Sequence, residues 1–134
     1  MLSISTIVKY LLTLLALAFL VFFAQPSEAV ELLHTYDSMK EDTQELASQY
    51  PDIAIYSEQG ISTGLDLEIF SVDVALNITE LTEEELNALP TMYVDGTHHG
   101  NEGMSAEASL LFLQDVLERS AADPSYLEGK RLVV

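Results

Sequence analysis

The sequence predicts a mixed α/β domain, and three observations predict it. β-Prone runs at Ala54–Glu58, Leu67–Val72, Met92–Val94 and Leu132–Val134 alternate with stretches of helical periodicity. Turn chemistry at Gly60-Ile-Ser-Thr-Gly64, Asp95-Gly96 and Gly129 separates the runs. Hydroxyl residues followed three positions later by glutamate, Ser38 with Glu41 and Thr82 with Glu85, have the form of helix N-termini.

The first element is not expected to belong to the domain. After Lys9 comes an apolar run from Leu11 to Ala24, broken only by Thr13, and then Gln-Pro-Ser-Glu-Ala. A positive start, an apolar stretch and a small-x-small site at Ser27-Glu28-Ala29 match a secretory signal peptide over residues 1–29. The run is shorter than the roughly 20 residues of a membrane span. The competing reading is an uncleaved anchor, in which case this segment is the chain's one contact with a membrane. No cysteine follows the run, which argues against lipid attachment, so the expected location is secreted or extracytoplasmic.

Residues 30–134 are the expected domain. Tyr36, Met39, Thr43, Leu46 and Tyr50 recur at spacings of three and four, an amphipathic helix opened by Ser38 and Glu41 and stopped by Pro51. Ala54–Glu58 and Leu67–Val72 alternate in character and flank a glycine-bearing turn, the pattern of a hairpin. Asn77-Ile-Thr79 is an N-glycosylation sequon, a pattern also frequent by chance. Thr82–Glu85 opens a short helix closed by Pro90, and Thr91–Val94 is a short strand leading into Asp95-Gly96. Ser105 is the expected N-cap of a helix running to about Arg119, where a cation suits the negative end. Leu110, Leu111, Phe112, Leu113, Val116 and Leu117 surround most of that helix, which predicts cover on several sides. Leu132-Val-Val134 reads as the start of a buried strand. A domain boundary belongs in a polar linker, so the chain is read as a fragment truncated within a strand.

Composition narrows the partners. All but one of the 22 acidic residues lie after the leader, against Lys40, Arg119, Lys130 and Arg131. With no basic patch to neutralise phosphates, nucleic acid is not an expected partner. An acidic surface favours solubility, including at high salt. The absence of cysteine excludes disulfides and thiolate metal ligands.

The stretch with chemistry in it is Thr91-Met-Tyr-Val-Asp-Gly-Thr-His98-His99-Gly-Asn-Glu102-Gly. Catalytic zinc sites use three protein ligands, a His₂Glu set among them, and leave one position to water. A separation of three lets His99 and Glu102 converge on one ion if the turn is tight, and Gly96, Gly100 and Gly103 permit tight turns. A loop from a strand to a helix N-terminus is also where α/β folds carry sites. His98 is the rival ligand, because adjacent histidines in extended chain point apart. As a bare pattern His-x-x-Glu is equally a solvated polar loop. Glu107 is expected to serve only as an acid near the helix start, and His34 as a solvated surface residue.

The segment resembles the first metal motif of the zinc carboxypeptidases, the carboxypeptidase A-like metallopeptidases. There a strand ending in Gly-x-His precedes a His-x-x-Glu ligand pair and a long helix. Upstream, Tyr36 with Met39, Ala47-Ser-Gln-Tyr-Pro-Asp52 and Gly60-Ile-Ser-Thr-Gly64 resemble the family's opening helix, its Tyr-Pro boundary and its glycine–serine turn. Together these cover roughly Leu33 to Val134 in the expected order. Leu65 stands where the family often has an arginine, and Asn101 where its digestive members carry another. His-Gly-Asn-Glu also occurs in related acylases such as aspartoacylase and succinylglutamate desuccinylase, which lack the long upstream segment.

The resemblance implies the N-terminal part of a mixed-sheet α/β zinc-peptidase domain. It implies a zinc cofactor held by His99 and Glu102, and a peptide or protein substrate losing its C-terminal residue. The third ligand, the general base and the substrate-binding arginines are implied to lie beyond Val134, so this chain alone is expected to be inactive. Two other readings stand beside it: a metal-dependent acylase of small N-acyl amino acids, and a non-catalytic secreted binding module on the same fold.

Overall fold

The computed structural model describes residues 33–97 and 102–134. The predicted leader and His98, His99, Gly100 and Asn101 lie outside the described residues. The unit Leu33–Val134 is the mixed α/β domain that the sequence predicts, built on one four-stranded mixed sheet.

Helix α1, Tyr36–Ser48, is positioned by its N-terminus. Thr35 is extended (φ −74°, ψ 167°), and its side chain accepts from the Ser38 backbone N–H while the Ser38 side chain answers the Thr35 backbone. The capping box is therefore Thr35 with Ser38, not Ser38 with Glu41 as the sequence pattern suggests; the serine hydroxyl takes the part expected of glutamate. Thr43 and Ala47 are the buried positions of this helix, and Leu46 and Tyr50 pack against the core from its rim.

Strands β1, Ala54–Ile61, and β2, Glu68–Ala75, form the hairpin. Both run longer than the sequence predicts. A register irregularity between Glu58 and Gly60 lets β1 continue through the glycine, and the turn itself is shifted onward, closed by the Ser62 N–H to the Leu67 carbonyl at 2.7 Å. Asp66 (φ 52°) is left-handed there, a conformation that aspartate tolerates better than most residues. Tyr56 stacks on Phe70 at a centroid distance of 5.6 Å, and Tyr36 meets the same ring tilted by 57° at 6.1 Å. Lys40 pairs with Glu58 and Glu68, so α1 is fastened to the hairpin by aromatic packing and ion pairs.

Helix α2, Glu83–Ala88, is capped by the predicted Thr82–Glu85 box. It leads to strand β3, Thr91–Tyr93, then to helix α3, Gly103–Ala122, and strand β4, Arg131–Val133. The spatial order is β1-β2-β4-β3. β4 pairs antiparallel with β2 (Val74 opposite Leu132) and parallel with β3 (Met92 opposite Leu132). The run of three apolar residues at the end of the sequence thus occupies an interior position of the sheet, and Leu132 is buried. A parallel pair requires a crossover, and α3 is that crossover.

The core lies between the sheet and α3. Val72 and Val74 are fully buried, and Leu113, Val116 and Leu117 descend onto them from the helix, with Ile53, Ala54, Leu127 and Leu132 closing the cluster. Among the described residues, α3 is covered on this face, and Leu111 remains 65% exposed. The cover on several sides expected from its sequence is therefore not found within these residues.

Candidate metal-binding loop

The loop of interest joins β3 to α3, and each of its ends is held by a specific contact. At the strand end, the Val94 N–H donates to the Val133 carbonyl at 2.8 Å, prolonging the parallel pairing by one residue beyond β3. The Thr97 N–H then donates to Asp95 Oδ1 at 3.1 Å, an Asx turn that redirects the chain. Gly96 runs against the second turn of α3: a Cβ there would lie 3.1 Å from Ser109 Oγ and 3.2 Å from Ser109 Cβ. Even a methyl there is tighter than ordinary contact and would press the Ser109 side chain aside, so the close approach favours glycine.

At the helix end, Glu102 is the residue before the first helical turn (φ −97°, ψ 45°). Its carbonyl accepts from the Ser105 N–H at 2.9 Å, and its side chain does not cap the helix. The N-cap of α3 is therefore Glu102 and its first helical residue Gly103, so the helix starts a turn earlier than a Ser105 N-cap would set it. Ser105 has another task. Its hydroxyl lies within hydrogen-bonding reach of the Gly96 carbonyl and, at 2.7 Å, of the Glu102 carbonyl. One side chain thus gathers both ends of the segment that contains His98 and His99.

Glu102 is half-buried and engaged in a polar interaction. His99, the other predicted ligand, lies outside the described residues, as does its rival His98. Among the described residues no group of three histidine or acidic side chains is arranged to hold a metal ion. The loop's donors, the imidazoles of His98 and His99 and the Glu102 carboxylate, are of the kind zinc accepts.

His34 lies at the surface, as expected, but each of its donor groups there has a carboxylate partner. His34 donates its backbone N–H to Glu107 Oε1 at 2.6 Å. Its ring Nδ1 lies 2.8 Å from Glu107 Oε2, and its Nε2 lies 2.8 Å from Asp42 Oδ2. The hydrogen bonds to Glu107 and then Asp42 raise the imidazole above its ordinary value of 6.5, against a smaller opposing effect of burial. The Glu107 carboxylate is lowered, chiefly by the bond from the His34 backbone. Glu107 is thus a partner of a distant residue rather than only a charge near the helix start. No local signal reveals this, because the two residues are 73 positions apart.

The cations are likewise committed. Arg131 donates from Nε to Asp73 Oδ1 at 2.6 Å and from Nη1 to Asn87 Oδ1 at 2.9 Å. Arg119 pairs with Asp115, and Lys130 donates to the Tyr126 carbonyl. None of them reaches into the β3–α3 loop through these contacts. An open concavity of about 820 Å³ runs along β3 and α3 past Met92, Phe112, Tyr126 and Lys130, and none of the described loop residues 95–97 and 102 lines it. The polar chemistry of the motif is in the loop.

Among the described residues, no helix is long and apolar enough to cross a membrane. No protein-family model matches the chain, and no curated protein matches it either.

Proposed function

We propose that this chain carries the first two zinc ligands, His99 and Glu102, of a secreted zinc-dependent carboxypeptidase that releases C-terminal residues from peptides. The observation that supports it most is the setting of Glu102. It ends a glycine-bounded loop between a parallel strand and the long crossover helix, and one hydroxyl, Ser105, gathers the carbonyls on both sides of the histidines. A tether of that kind restricts where the Glu102 carboxylate can go, and pre-positioned ligands bind metal better than mobile ones. Glu102 then offers carboxylate oxygen and His99 imidazole nitrogen to the same ion.

Bound zinc in such a site supplies Lewis acidity, activating water and polarising a carbonyl. The residues of this chain contribute ligation and loop geometry. The resemblance also implies a second histidine, a general base and carboxylate-binding arginines, and it assigns none of these roles to residues in its two-ligand motif; Arg119 and Arg131 are engaged with Asp115 and Asp73.

The test uses the natively expressed protein and three substrates: a peptide with a free C-terminus, the same peptide amidated, and N-acetyl amino acids. The proposal expects chelator-sensitive release from the free peptide only. Hydrolysis confined to the N-acetyl amino acids would establish an acylase instead, and no hydrolysis of any of them a non-catalytic module.

A further inference from the structure

We propose that His34 is a pH-sensitive tether that fastens the start of the domain to helix α3. The inference stands independently of the zinc reading. It rests on four contacts made by a single residue: the backbone N–H and ring Nδ1 of His34 to Glu107 on α3, with Nδ1 near both carboxylate oxygens, and ring Nε2 to Asp42 on α1. Leu33 adds an apolar contact, its Cδ1 lying 3.4 Å from where a Cβ on Gly103 would stand. Residues 33 and 34 thereby bridge the second turn of α1 and the first two turns of α3.

The chemistry of the bridge depends on protonation. A neutral imidazole has one N–H, so with a carboxylate at each ring nitrogen one nitrogen would face its acid as lone pair against lone pair. Only the imidazolium donates to both, and the charged form strengthens both bonds. The groups facing the ring are Asp42 from α1 and Glu107 from α3, and Glu45 lines the same α1–α3 seam. Lys40, the cation of α1, is turned away to Glu58 and Glu68, so among the described residues it does not compete for the two carboxylates.

The pH window follows from the direction of each shift. His34 is raised in the folded state, so its contribution is complete below 6.5 and disappears as pH rises through its folded value. Glu107 is lowered, so its contribution is complete above 4.5 and disappears as pH falls through its folded value. The tether is therefore strongest between these two ordinary values and weakens on the alkaline side by loss of one proton from His34, which leaves one ring bond and the backbone bond to Glu107. Weakening loosens the start of the domain, and with it the lateral hold on the first turns of α3.

The experiment is an NMR titration of the full 134-residue chain, following the His34 ring and the exchange of its backbone amide. The ring signals of His98 and His99 are identified by His98→Gln and His99→Gln. The proposal expects His34 to titrate above 6.5, and its amide protection to fall roughly tenfold across that midpoint after correction for intrinsic base catalysis. In Glu107→Gln and Asp42→Asn, each of which keeps the side-chain shape, the midpoint should move back toward 6.5. A His34 midpoint at or below 6.5, or one unmoved in both variants, would overturn the proposal. So would amide protection that does not change across the midpoint.

Discussion

Helix α3 is held in two different ways along its length. Its middle is held by apolar contact: Leu113, Val116 and Leu117 lie against Val72, Val74 and Leu132, all of them buried. Its N-terminal two turns are held by polar ties: Ser105 to the Gly96 and Glu102 carbonyls, and Glu107 to His34. Apolar burial is non-directional and insensitive to pH, and it gives the bulk of stability. Hydrogen bonds at a half-exposed helix start contribute less each but fix direction. The middle of the helix is thus anchorage, and its start is where geometry is set and can be adjusted.

That contrast can be broken at either end. Leu117→Ala, which empties a fully buried position, should cost about 2–5 kcal/mol, read as a lowered midpoint in denaturant. The comparison is sharpened by Leu111→Ala on the exposed side of the same helix, which should fall within about 0.5 kcal/mol of the parent. If the two variants were equally destabilised, α3 would be covered on a face where Leu111 is now 65% exposed. At the polar end, Gly96→Val drives side-chain atoms into Ser109, only 3.1 Å from even a Cβ, at an expected cost of about 1–3 kcal/mol. Ser105→Ala should cost about 1 kcal/mol while loosening the loop more than the core. Amide exchange at Thr97 and Gly103 should accelerate, while exchange at Leu113 tracks only the global loss of stability.

The division between what the sequence reveals and what it conceals follows the same line. α1, α2 and the hairpin were legible because their signals are local: apolar spacing in Tyr36–Tyr50, the Thr82–Glu85 box, and glycine between two β-prone runs. The strand at Leu132-Val-Val134 was legible from its apolar run, and Leu132 is buried while Val133 and Val134 are only partly so; its place between β2 and β3 was not, because strand order is set by long-range pairing. Boundaries were less so. Ser105 has the chemistry of an N-cap, and its hydroxyl does serve the helix start, but from inside the helix, because the Glu102 carbonyl had already accepted the first bonds. The described part of the loop, residues 95–97 and 102, has the strand-to-helix setting the motif suggested. The His34 tether was invisible, since a contact across 73 residues leaves no periodic trace. His34 and Glu107 each had an ordinary local explanation that concealed their pairing.

If His99 and Glu102 hold one zinc together, as proposed, the metal content of the natively expressed protein after exhaustive dialysis reports it, alongside His99→Ala, Glu102→Ala and His98→Ala. About one zinc per molecule is expected in the parent and in His98→Ala, as for a three-ligand catalytic site, with loss of most of it in the other two. Zinc retained in full by either His99→Ala or Glu102→Ala, or a parent protein that carries no zinc, would contradict the proposal.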